Sequence, residues 1–213
     1  MGNDDKPKPD FAAGLKALAM PMTSAEQVTD SSDYGKTPSL GNVVVPTEIT
    51  VKVLNDIVDK YIDKFVKRFP KLIMQVHFTS NGQPPTPPDL WDAEAEKPVS
   101  GRFLKVGNEY RIGINNDLIL PAQLMTFFHE YGHAVYKREA NEAIDNSHAL
   151  IRTETAALLS SLRLSEEEGL PEIAYLSVYG ARQAALTDPI YQAAIKNVEA
   201  DPLWQKYSEQ PSD

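Results

Sequence analysis

The stretch TFFHEYGHAVYKRE, residues 126–139, decides how this chain is read. At about 100° per residue along a helix, His133 falls about 40° from His129 and Glu130 about 100° from it, all on one side. Leu124, Phe127, Phe128, Tyr131, Ala134 and Val135 gather on the opposite side. The segment is expected to be a helix that buries an apolar back and turns two imidazoles and a carboxylate into a cleft. Gly132 leaves room for close approach of a neighbouring chain or a ligand. Imidazoles at i and i+4 stand one turn apart, so both nitrogens can reach one zinc ion at about 2.0–2.1 Å. A glutamate directly after the first histidine misses the ion but reaches a water bound to it. The competing reading is a charged helix face with two surface histidines, and the apolar back counts against it.

The rest of the chain must supply a third ligand. There are no cysteines among the 213 residues, so a thiolate site and a disulfide framework are both excluded. Any metal must be held by His, Asp or Glu. The net charge of -9, with a pI near 5.0, argues against a phosphate-binding surface and hence against a nucleic-acid partner. Hydrophobic residues at 42% and charged residues at 24% are values of a globular chain, long enough for one domain with a sizeable core. No window approaches the roughly 18 uninterrupted apolar residues of a membrane helix.

Organisation follows from composition and periodicity. Residues 1–45 are rich in Pro, Ser, Asp, Gly and Lys around one apolar patch, FAAGLKALAM, and read as a disordered or draped N-terminal arm. The opening MGNDDKPKPD suits a cytoplasmic start and equally a processed envelope or secreted protein, lipid-anchored upstream of Gly2. The domain is expected over 46–207. Leu54, Ile57, Val58, Tyr61, Ile62, Phe65 and Val66 have helical spacing, with Pro46 and Thr47 opening the helix and Pro70 closing it. KLIMQVHFTS alternates as a strand, with Leu72, Met74, Val76 and Phe78 on one face and His77 on the other in a structural or surface role. Residues 81–99 contain five prolines and a glycine, and form a long excursion of the kind that often makes a lid or rim, with Trp91 as an anchor. RFLKVGNEYRIGIN reads as a hairpin turning at Gly107-Asn108. A helix then starts with Pro121 in its first turn, and another starts near Asp145, Asn146 or Ser147. Two more helices are expected in PEIAYLSVYGARQAAL and DPIYQAAIKNVEADPLW. The order predicts an α+β domain: a short sheet with a hairpin packed on the motif helix, then a helical C-terminal part.

Burial picks the third ligand. Glu139 and Glu142 lie in the polar run KREANEAID, where a carboxylate needs no metal. Glu154 sits between Leu150, Ile151, Ala157 and Leu158, in the apolar stripe of its helix, where a charge is costly unless paired. A zinc ion on His129 and His133 would be its partner. A buried salt bridge to Arg111 or Arg182 is the alternative for Glu154, and Asp145 is the alternative ligand. Tyr136 and Glu139 stand where the metzincin pattern needs Gly and His, which excludes that class.

His129-Glu130-x-x-His133 with a downstream Glu154 resembles the gluzincin metallopeptidases, in a compact single-domain form. The resemblance covers roughly residues 101–162 and includes YRIGIN, similar to the edge strand against which those enzymes align an extended substrate. It implies a zincin-like fold, one zinc ion ligated by His129, His133 and Glu154, and Glu130 as general base in the hydrolysis of peptide bonds in a peptide or protein substrate. A catalytically silent binding module on the same scaffold, or a zinc hydrolase of a non-peptide amide, are the alternatives. A second oxyanion donor could come from Tyr175, Tyr179 or His148.

Overall fold

The computed structural model describes residues 49–87, 98–140 and 147–209. The expected N-terminal arm, Trp91 and Asp145 lie outside the described residues. Within them the fold is mixed α+β: α1 (Val51–Arg68), β1 (Ile73–Thr79), β2 (Gly101–Val106), β3 (Glu109–Asn115), α2 (Leu120–Ala140), α3 (Ser147–Glu167), α4 (Pro171–Ala184), α5 (Pro189–Val198) and α6 (Pro202–Ser208).

The first helix begins later than Pro46 and Thr47 suggest. Thr50 is its N-cap, the hydroxyl oxygen accepting from the Val53 N–H, and this satisfies a donor that the helix itself leaves unpaired. Leu54, Ile57, Val58, Tyr61 and Phe65 are buried, so the stripe read from the spacing is the stripe that packs, whereas Val66 at its margin is exposed.

The sheet has the order β1-β3-β2. The hairpin is formed as expected: β2 and β3 are antiparallel, and Gly107 at the turn takes a left-handed φ of 59°, which a side chain would disfavour. β1 runs parallel to β3, in a register that pairs Met74 with Tyr110, Val76 with Ile112 and Phe78 with Ile114. One consequence corrects the expected edge. YRIGIN belongs to β3, which is paired on both sides, so it has no free ladder to offer. Sequence adjacency to the motif pointed to β3, but the parallel partner comes from before the excursion and fills that side. β2 is the edge strand beside α2, and a Cβ at Gly101 would lie 2.3 Å from Thr126 Cγ2 and 3.2 Å from Glu130 Cγ.

α2 runs through the middle of the domain. Leu124, Phe127 and Phe128 are fully buried against Tyr61, Phe65, Tyr110, Ile112 and Ile114, with Tyr61 edge-on to both Phe128 and Tyr131. Its opposite side is covered too. α3 packs so closely that a Cβ on Gly132 would sit 2.6 Å from Ser160 Cβ and 2.8 Å from Ala157 Cα. The room left by Gly132 is therefore taken by a neighbouring helix. A second apolar cluster, including Leu158, Leu162, Val178, Tyr191 and Trp204, ties α3 to α4, α5 and α6. The expected last helix is two helices, because Asp201 caps a new one with Pro202 in its first turn. No described helix is long and apolar enough to cross a membrane.

Candidate metal centre

The two histidines and the glutamate between them are close together. Potential ligand atoms of His129, Glu130 and His133 all lie within 4.8 Å of one another, and the three side chains are buried or nearly so. The imidazoles converge: His129 Nε2 and His133 Nε2 are 3.0 Å apart, with ring planes at 86°. Two ring nitrogens at that distance cannot both present lone pairs unless a proton or a cation lies between them.

Glu154 enters from α3 and faces both. Its Oε2 is 3.3 Å from His129 Nε2 and its Oε1 is 3.4 Å from His133 Nε2. Oε2 is fully buried and makes no hydrogen bond of good geometry among the described residues, although His129 and the Tyr191 hydroxyl both face the carboxylate. A buried carboxylate oxygen left in this way is costly and calls for a cation. Arg111, one of the alternative partners, is held by Glu109 and by the Pro85 carbonyl, and Arg182 is exposed.

Glu130 is the odd member of the cluster. Its carboxylate accepts a hydrogen bond from the Phe103 N–H on β2 and lies in the field of Arg102. In the antiparallel register the Phe103 amide points away from β3, since Ser100 is the residue that bonds Asn115. Glu130 is thus turned toward the edge strand, and Glu154 toward the imidazoles. Both glutamates lie near the imidazoles, Glu154 at 3.3–3.4 Å and Glu130 within the 4.8 Å cluster.

Electrostatics divide the two carboxylates in the same way. Burial raises the Glu130 carboxyl to about 7, helped by the charge of Glu154 and opposed by His129, the Phe103 N–H and Arg102. Burial also works against ionised Glu154, but the charges of His133 and His129 outweigh it and hold the carboxyl down at about 2. Burial disfavours protonated His129, yet its hydrogen bond to Glu154 and the charges of Glu154 and Glu130 carry it above its ordinary value. His133 falls to about 4, chiefly through burial, with Glu154 opposing and His129 adding to the fall. A proton on His129 is the smallest cation that satisfies this arrangement. A divalent ion would satisfy all three groups at once.

One residue at the site carried no signal in the sequence. Tyr191, in the first turn of α5, places its hydroxyl 3.3 Å from His129 Nε2 and stacks its ring near the imidazole at 14°. In DPIYQAAIKNV it is spaced with Ala194 and Val198 on the buried stripe, which is the pattern of a packing residue. The tyrosines singled out instead are elsewhere. Tyr175 stacks edge-on against Tyr207, Tyr179 lines a separate cavity with Leu176 and Gly180, and His148 is exposed at the start of α3. Beside His129 lies a small pocket of about 20 Å³, room on the scale of a water molecule, walled by Met125, Leu158, Ser161, Gly180 and Tyr191. His77 lies on the sheet face away from α2, opposite Gly113, consistent with a structural place.

No protein-family model, curated protein or solved structure matches this chain.

Proposed function

We propose that this protein is a zinc-dependent peptide hydrolase of the gluzincin kind, with His129, His133 and Glu154 as zinc ligands and Glu130 as general base. One observation carries the reading. The two imidazole nitrogens stand 3.0 Å apart and each faces one oxygen of the buried Glu154 carboxylate at 3.3–3.4 Å, while a second carboxylate one residue from the first histidine is turned aside. Donors bound to one tetrahedral ion at about 2.0–2.1 Å are themselves about 3.3–3.4 Å apart, so the spacing suits zinc. The donor chemistry suits it as well, since nitrogen and carboxylate oxygen are what a cysteine-free chain has to offer.

Zinc in this place would supply Lewis acidity to a water molecule and to the scissile carbonyl. The chain's own residues do the remainder. Glu130, beside the ion but not one of its proposed ligands, would accept the proton of the water and return it to the leaving amine. The Phe103 N–H would hold the Glu130 carboxylate at the strand edge, with Arg102 acting on it only as a more distant charge. Burial of the cluster excludes bulk water and strengthens each of these interactions.

Glu130 also separates hydrolysis from the alternative of a silent binding module, because a closed structural site has no use for a free carboxylate beside the ion. The test is zinc content combined with turnover. Purified protein should hold about one zinc per chain, and Glu130→Gln should keep it while losing cleavage of a mixed peptide library. Zinc-loaded wild-type protein that cleaves no peptide would sink the hydrolase reading, and a protein that takes up no zinc would sink the metal reading with it.

A further inference from the structure

We infer that Tyr191 is a fourth protein donor to the metal position, so that the described fold is a closed, resting form of the site. This inference rests on the proposal that His129, His133 and Glu154 hold a metal. Its own ground is the placement of the phenol. The Tyr191 hydroxyl lies 3.3 Å from His129 Nε2, the same separation as that between His129 Nε2 and Glu154 Oε2. Tetrahedral donors at ordinary zinc bond lengths are separated by about this distance. Burial and the charge of Glu154 push the phenol well above its ordinary value, so in the metal-free fold it stays protonated and faces the Glu154 carboxylate as a donor, a proton that a metal ion would have to displace. The phenol oxygen therefore belongs to the same cluster of atoms as the three proposed ligands, and comes from a helix that contributes nothing else to it.

The placement is built, not incidental. Tyr191 is buried, at 7% exposure, and sits in the first turn of α5, where the Asp188 side chain accepts from the Ile190 N–H and Pro189 fixes the backbone. Ala194 and Val198, on the same stripe, are fully buried against the C-terminal cluster, and Asn197 hydrogen-bonds Thr155 on the helix that carries Glu154. The phenol is thus held in register with Glu154 by contacts that do not involve the metal position. An open catalytic site keeps one position for water and substrate, whereas four protein donors close it. Reaction at this site then requires Tyr191 to rotate away, or α5 to shift, before a water can enter.

The test uses the full chain, stripped of metal and reloaded with Cu²⁺ as a spectroscopic probe. A phenol that coordinates copper gives up its proton to solvent and produces a tyrosinate-to-copper charge-transfer band in the visible. The wild-type protein should show that band, and Tyr191→Phe should bind one Cu²⁺ without it. Azide, a small anion that enters open coordination positions, should bind the Tyr191→Phe copper protein at several-fold lower concentration than the wild type. If Tyr191→Phe fails to fold, 3-fluorotyrosine placed at 191 serves instead, and the band should move in position. A wild-type protein that binds Cu²⁺ or Zn²⁺ with no such band, and with azide affinity equal to that of Tyr191→Phe, overturns the fourth donor while leaving the three-ligand site standing. A protein that binds neither ion overturns the metal site itself, which is a separate and recognisable result.

Discussion

The two sides of α2 face buried glutamates in opposite states, and the contrast suits the separate roles proposed for them, one holding an ion and one moving a proton. On the α3 side, Glu154 faces two imidazoles and is held ionised down to about 2. On the β2 side, Glu130 meets a single backbone amide and more distant charges, and burial lifts it to about 7. The residue type is the same and the distance between them is small. What differs is the partners each carboxylate meets: for Glu154 two imidazoles of α2, of which His129 holds its proton more tightly than usual, and for Glu130 a strand edge. A group that must stay bound to a cation needs the first environment, and a group that must take up and release a proton near neutral pH needs the second.

The strongest way to break this contrast is to neutralise each carboxylate in turn and measure metal. His133→Ala and Glu154→Gln should each lose stoichiometric zinc, falling from about one ion per chain toward none. Glu130→Gln should retain the ion and lose turnover by about 10²–10⁴-fold, the usual size of a general-base contribution. Zinc retained in full by Glu154→Gln and lost from Glu130→Gln would reverse the assignment, a real alternative because Glu130 lies within the same 4.8 Å cluster.

A second test reads the same pair through stability of the metal-free protein. For Glu154, the ordinary value of 4.5 falls to about 2 on folding. Its stabilising contribution, about 3 kcal/mol, is therefore present above pH 4.5 and lost as pH falls toward 2. For Glu130, the ordinary 4.5 rises to about 7, so its contribution is present below 4.5 and lost as pH rises through 7. Denaturant unfolding at pH 6, where His129 and Glu130 both keep their protons, should find Glu154→Gln destabilised and Glu130→Gln stabilised relative to wild type. Two shifts of the same sign would mean that the two sides of α2 are not electrically distinct.

Much of this arrangement was legible in the sequence, and the reasons for what was not are physical. Periodicity identified α1, β1, the hairpin and α2, because each buries a stripe that repeats with its own geometry. Glu154 could be picked out because a charge interrupting an apolar stripe is locally visible. The choice of β3 as the edge was wrong because strand order depends on a parallel pairing across the excursion, a long-range contact with no local mark. Thr50, and not Thr47, caps α1, since several residues before that helix have capping chemistry and only packing selects among them. Tyr191 was hidden because a tyrosine on a buried stripe looks the same whether its hydroxyl meets a wall or a metal site.

The helix–helix contact on the α3 side gives a smaller, structural prediction. Gly132→Ala places a methyl 2.6 Å from Ser160 Cβ and 2.8 Å from Ala157 Cα, a backbone atom that cannot yield by rotation. The expected cost is about 1–3 kcal/mol in thermal or denaturant unfolding, with zinc affinity reduced as α3 and Glu154 move outward. On the β2 side, Gly101→Ala meets the Thr126 methyl, the Gly113 carbonyl oxygen and Glu130 Cγ, so it should strain the β2–β3 edge, retain zinc and lower turnover by displacing the base. Equal zinc loss in both variants would show that the site does not resolve into two sides.

The finest test concerns Arg102, whose positive charge favours the ionised form of Glu130 from β2. Its guanidinium also donates to Gln83 Oε1 at 3.1 Å, which anchors it across the sheet rather than leaving it to follow solvent. Removing the charge should raise the Glu130 carboxyl further, because burial and the charge of Glu154 would then be less opposed. In Arg102→Gln the rise of kcat/KM with pH should shift upward by a fraction of a pH unit, while zinc content and Glu154 stay as they are. The shift should shrink as salt is added, since Arg102 is only half-buried and its field reaches Glu130 partly through solvent. A profile unmoved at low ionic strength would mean that the Phe103 N–H and burial alone set Glu130, and that the β2 side acts through its backbone and not through its charge.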